Sequence, residues 1–226
     1  MIKALALKEL REIAGIAAVA LLANLVLAAA LMGMQPFARL LKSGFTHGIP
    51  FVNPDIRPVL SFVAVPLALA LGFRQSAWEA GQGTYQFLLH RPIGRSTVYL
   101  MKLATGIGAF LACTAVPILL CAWWAATSGH HPSPFSWSMT SPAWQLCMVL
   151  PLLYLGAFLS GLRPARWYGT RLLPLVAATG FVVLLLYGPQ TLRVEFPWTT
   201  VLPAALVLEA LLISSICYVA RMRDYS

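Results

Sequence analysis

Long apolar runs cut by short polar clusters set the pattern of this chain. Between the clusters lie stretches of roughly 20 mostly apolar residues, the length a helix needs to cross the hydrocarbon of a bilayer. Six such stretches stand out, at about 13–32, 57–74, 98–126, 143–162, 171–188 and 199–220. The 60 residues from 103 to 162 contain no Asp, Glu, Lys or Arg, yet His130, His131, Pro132, Ser133, Pro134 and Pro142 interrupt them. That interval therefore predicts two helices rather than one. Lipid offers no partner to an open strand edge, so each span is expected to be helical. The predicted fold is an all-α integral membrane protein, one transmembrane domain over residues 1–226 with six transmembrane helices.

Composition agrees with this pattern. Hydrophobic residues make up 59% of the chain and charged residues 10%, against about 45–50% and about 25% in soluble domains. A soluble, disordered or disulfide-stapled protein is excluded. The formal charge of +9 reads as orientation rather than nucleic-acid binding, because no basic run is interleaved with aromatics. With the N-terminus inside, twelve of the sixteen Lys and Arg fall in cytoplasmic segments, leaving Arg39, Lys42, Arg57 and Arg193 outside. Both termini are then cytoplasmic, in the cell inner membrane. Trp123, Trp124, Trp144, Trp167 and Trp198 fall at span ends, as interfacial aromatics do. Cys113, Cys121, Cys147 and Cys217 read as small buried apolar residues, and the first span is expected to be retained rather than cleaved.

Two amphipathic elements are expected on the inner face. Ahead of the first span, Ile2, Ala6, Leu7, Leu10 and Ile13 gather on one side, with Lys8, Glu9, Arg11 and Glu12 on the other, predicting an elbow helix over residues 1–12 in the headgroup plane, its apolar face toward the membrane. Leu5 and Lys3 break this pattern. The second element is the polar segment 75–97. Gly83 and Thr84 can open a short helix there and Pro92 can stop it, so that Tyr85, Leu88 and Leu89 project from one face between Arg91 and Arg95. Such a knob suits docking to another protein. A loop that only joins spans two and three is the alternative.

The Lys8-Glu9-Leu10-Arg11-Glu12 opening, the Glu79 to Thr84 approach, the Leu88-Leu89-His90-Arg91-Pro92 run, Arg95 and Lys102 together resemble the membrane (permease) subunit of a type-two ATP-binding cassette (ABC) transporter. The likeness runs over essentially the whole chain. It implies that the first helix is an interfacial elbow and that the segment after span two is a coupling helix seated in a separate cytoplasmic ATPase. Two membrane subunits, identical or different, and an ATPase dimer would form the working unit. Coupling would fall to Glu79, Gly83, Thr84, Gln86, Leu88, Leu89, Arg91, Pro92 and Arg95. Gln86 stands where the family often has an acidic residue, and Gly81 adds a second glycine. The large loop that some lipid exporters of the family carry between the last two spans is missing, which leaves substrate and direction open.

The chain has no GxxxxGK[ST] loop, so ATP and Mg would be bound by the partner ATPase, and this polypeptide holds no cofactor and no catalytic residue of its own. Ser160 at an inner span end and His130 and His131 in an outer loop cannot meet across about 30 Å of hydrocarbon. The two histidines alone are too few for an ordinary zinc site. Asn24 and Glu209 are the polar residues out of place inside spans, and they are candidates for a subunit interface or translocation route, or for interhelical hydrogen bonds. One proline lies inside each of spans two to six (Pro66, Pro117, Pro151, Pro174, Pro203), and Gly106 and Gly108 suggest close packing of span three. The reading that competes with transport is a membrane scaffold or assembly factor binding a different cytoplasmic partner.

Overall fold

The computed structural model describes residues 2–34, 37, 49–52, 55–78, 94–127, 129, 134–163, 168–192 and 198–222, with 2, 95, 168, 187–192 and 198 described by backbone alone. Among them six helical stretches are long and apolar enough to cross a membrane. The helices are α1 (Ile2–Leu31), α2 (Ile56–Phe73), α3 (Arg95–Ala126), α4 (Ser141–Val149), α5 (Pro151–Leu162), α6 (Tyr168–Leu192) and α7 (Trp198–Met222). A π-helical turn, Arg74–Trp78, prolongs α2, and a 3-10 turn, Trp137–Thr140, leads into α4. Large apolar side chains such as Val19, Phe62, Val176, Leu184 and Val207 stand on the outside of the bundle. Surface of that kind belongs in acyl chains rather than water.

The fourth span, made of α4 and α5, is the axis of the bundle. In its most apolar stretch 89% of residues are buried, against 17% in the sixth span. All twelve residues of α5 are buried, and it packs against α2, α6 and α7. Small residues permit that crowding: a Cβ on Gly161 would strike the side chain of Ser76 and come within 2.9 Å of the Ala77 amide nitrogen. Pro151, expected inside an unbroken span, opens α5 instead. Its ring and missing N–H end the preceding helix, Leu150 forms the turn, and the Leu150 amide still donates to the Leu146 carbonyl at 3.0 Å.

The elbow expected over residues 1–12 is not a separate element. α1 runs unbroken for 30 residues, about 45 Å, so it exceeds the hydrocarbon thickness of about 30 Å at one end without a turn between residues 12 and 13. Leu7 and Leu10, expected to face the membrane, are 56% and 48% exposed on the bundle, whereas Ile13, expected beside them, and Glu9, expected on the polar face, are both fully buried. The buried stripe is Leu5, Glu9, Ile13, Ala20, Asn24 and Ala28, and it lies toward α3. Packing against a neighbouring helix thus sets the register that an isolated amphipathic helix would choose differently.

α1 and α3 run parallel, since bonds join residue 9 to 102 and residues 17 and 24 to 113. Arg221 near the end of α7 donates from Nε to Ser96 Oγ at 3.1 Å. The starts of α1 and α3 and the finish of α7 therefore share one end of the bundle. At the start of α2, Asp55 caps the helix by accepting from the Arg57 amide at 2.9 Å and pairs with the Arg57 guanidinium at 2.7 Å.

Candidate functional site

The densest buried polar cluster lies where α2 and α3 lead into the segment between them. The chain does not leave α2 as a loop at residue 75. Arg74–Trp78 continues it as a π-helical turn, with the Arg74 guanidinium 5.0 Å from the Trp78 ring centre. A π-turn holds an extra residue, which rotates the chain beyond it, and such turns recur at functional sites. Here Gln75 and Ser76 are buried. Gln75 Nε2 donates to the Lys102 carbonyl at 3.2 Å, and Gln75 Oε1 accepts from the Tyr154 hydroxyl at 2.7 Å. Ser76 Oγ donates to the Gly72 carbonyl at 2.6 Å. Gly106 makes room for this cluster, since a Cβ there would meet the Tyr154 hydroxyl and lie 2.5 Å from Gln75 Oε1.

Beside it is an ion pair sealed from solvent. Lys102 Nζ lies 2.8 Å from Glu9 Oε1, and both side chains are fully buried. Lys8 stands 3.7 Å from the same carboxylate and 3.2 Å from Glu12, extending the pair toward the surface. Glu9 Oε2 has no hydrogen-bond partner. Desolvation opposes the attraction within such a pair, so its net gain over an apolar pair is small, but losing either partner leaves a buried charge poorly compensated. Lys102 is the common element, holding Glu9 with its side chain while its carbonyl takes Gln75. Through it α1, α2, α3 and α5 are tied at one level of the bundle.

The residues expected to carry coupling are mostly beyond this frame. Glu79, Gly83, Thr84, Gln86, Leu88, Leu89, Arg91 and Pro92 lie outside the described residues, as do His130 and His131, and Arg95 is described only as the first residue of α3. The expected segment 75–97 is narrower than supposed, because residues 75–78 and 95–97 belong to helical elements. Of the elbow residues, Glu9 joins the buried pair, Lys8 and Glu12 bridge each other, and Arg11 is exposed. Asn24 is buried and donates from Nδ2 to the Cys113 carbonyl at 3.0 Å, while its Oδ1 has no partner. Glu209 is half-buried on the inward stripe of α7 with Oε1 unpartnered, and no hydrogen bond joins it to Asn24.

Sequence reasoning passed over Gln75, Ser76 and Tyr154 as chemistry and read Lys102 as part of the charge pattern and of the family resemblance, without a partner. A signal existed for the pair. Leu5, Glu9 and Ile13 are spaced by four, so Leu5, which broke the expected face, marked the true one. Tyr154 had the weaker signal of a lone hydroxyl inside the most apolar helix, where a buried tyrosine needs a partner. Gly106 packs closely as expected, whereas a Cβ on Gly108 would meet nothing within 4 Å. Ser160 Oγ accepts from the Leu175 amide at 3.2 Å, a bond between α5 and α6. No protein-family model, curated protein or solved structure matches the chain.

Proposed function

We propose that this chain is the membrane subunit of an ATP-driven exporter, similar to the type-two ABC transporters, and that residues 79–93 form the coupling element between it and a separate cytoplasmic ATPase dimer. The supporting observation is the anchorage on both sides of that segment: Gln75 before it and Lys102 after it are bonded to each other, to Tyr154 and to Glu9. A lever transmits force only if its mount is stiff. A push on residues 79–93 would reach α2 through the π-turn, α3 through its first turns, α5 through Tyr154 and α1 through Glu9. The four helices would then tilt together instead of the connection flexing alone.

In this reading the bundle end holding the starts of α1 and α3 faces the cytoplasm, both termini lie there, and a second membrane subunit, identical or not, completes the complex. ATP and Mg belong to the partner. The chain's own part is mechanical. The test is co-purification from native membranes after Leu88→Glu and Leu89→Glu. The expected result is loss of a nucleotide-hydrolysing partner while the bundle stays folded. Unchanged partner binding, or a non-ATPase as the protein lost, would overturn the proposal, the latter in favour of a scaffold.

A further inference from the structure

At the same bundle end, away from the Lys102 cluster, a cavity of about 470 Å³ opens between the end of α5 and the last turns of α7. Leu159, Arg163, Leu211, Ser214, Ser215 and Tyr218 line it. We infer that this cavity binds the headgroup of an anionic glycerophospholipid, with Arg163 contacting its phosphate. Such binding stands on the cavity alone and is independent of ATP coupling.

Three arginines gather around the ends of α5 and α7, and two are engaged. Arg171 covers the last carbonyls of α5, donating to Ser160 O at 3.3 Å and Gly161 O at 3.4 Å, and Arg221 binds Ser96. The exposed Arg163 side chain makes one long bond, to the Thr170 carbonyl at 3.4 Å. Among the described residues no carboxylate pairs with any of the three. A guanidinium with no carboxylate partner among the described residues is matched in charge by lipid phosphate at a bilayer edge, and basic pockets between spans are known lipid headgroup sites.

The rest of the lining refines the ligand. Ser214 and Ser215 each donate to the carbonyl four residues back, at 2.8 Å, so their oxygens face the cavity as acceptors. The wall therefore offers a cation and the exposed Tyr218 hydroxyl to a phosphodiester, and serine oxygens to groups that donate. A phosphatidylglycerol headgroup, a phosphodiester with a hydroxyl-bearing tail, has this combination. Exposed Leu211 and Val207 continue from the cavity along α7, an apolar track for the acyl chain that a free phosphate would leave unused.

The experiment is native mass spectrometry of the full-length chain released from nanodiscs of equal phosphatidylglycerol and phosphatidylcholine content. Retained lipid should be mainly phosphatidylglycerol. Arg163→Ala should lower that preference about fivefold, Arg163→Lys should keep most of it, and Ser215→Phe, which fills the cavity, should abolish it. Should Arg163→Ala not fold, Arg163→Lys and Ser215→Phe still decide the matter. Equal retention of the two lipids, an unchanged preference in Ser215→Phe, or full displacement by soluble glycerol phosphate would overturn the inference.

Discussion

Glu9 and Glu209 are both carboxylates set into apolar helices, and their surroundings differ in every respect that matters. Glu9 is fully buried, with Lys102 Nζ at 2.8 Å. Glu209 is half-buried in the least enclosed of the six spans and holds a carboxylate oxygen with no partner. The first group is part of a joint: removing it disturbs four helices. The second contributes no visible bond to the bundle, so its presence is not explained by the stability of one subunit. A polar group within a membrane therefore marks function more strongly when the fold has no use for it.

The contrast can be broken most forcefully at Lys102. Lys102→Met leaves Glu9 buried with only the more distant Lys8 at 3.7 Å, with an expected loss of about 3–5 kcal/mol, whereas Glu9→Met with Lys102→Met should restore most of the stability. Thermal unfolding in detergent measures both, and a double variant as weak as the single one would show that the pair is not the joint. Next in size is Gly106→Ala, which drives a methyl group into the Tyr154 and Gln75 contact and should cost about 1–3 kcal/mol. Gly108→Ala, two residues on and facing open space, is its control and should be close to neutral. Equal melting points for the two would remove the close approach as a constraint.

Tyr154→Phe deletes the hydroxyl that donates to Gln75 Oε1 at 2.7 Å and, more weakly, to the Lys102 carbonyl at 3.3 Å, and should cost about 1 kcal/mol. Under the coupling proposal it should also lower transport-linked ATP hydrolysis more than it lowers the melting temperature, because it loosens the mount. The smallest effect belongs to Glu209→Gln, within about 0.6 kcal/mol of the parent, since no bond is lost. If that variant melts far lower, Glu209 has a partner within the fold. If both Glu209→Gln and Glu209→Leu keep full transport in reconstituted vesicles, the residue has no part in translocation.

The six spans could be read from run length because the bilayer imposes a length and a composition on every crossing helix. Their inward faces could not. A helix apolar on all sides carries no moment to say which side meets protein, so the central place of α5 emerges only when neighbours are present, and the 5–9–13 stripe of α1, marked in the sequence by spacing alone, competes there with a more apolar face. The π-turn at residues 74–78 is equally hidden, since it depends on Gln75 finding a carbonyl in α3. Of the candidate site, the segment 79–93 stands out by polarity alone, while its mount is built from contacts between residues as far apart in the chain as Glu9 and Tyr154.

The pairing of Glu9 with Lys102 also has a calendar. The two residues are 93 positions apart, so at about 5–20 residues per second a ribosome needs about 5–20 s between them. Throughout that interval the nascent first helix can offer Glu9 only its own Lys8, 3.7 Å away in the folded bundle, so its seating against Lys102 must wait. Arrival of the third helix draws it in, which makes seating of the first segment a late event in biogenesis although it is the earliest one synthesised.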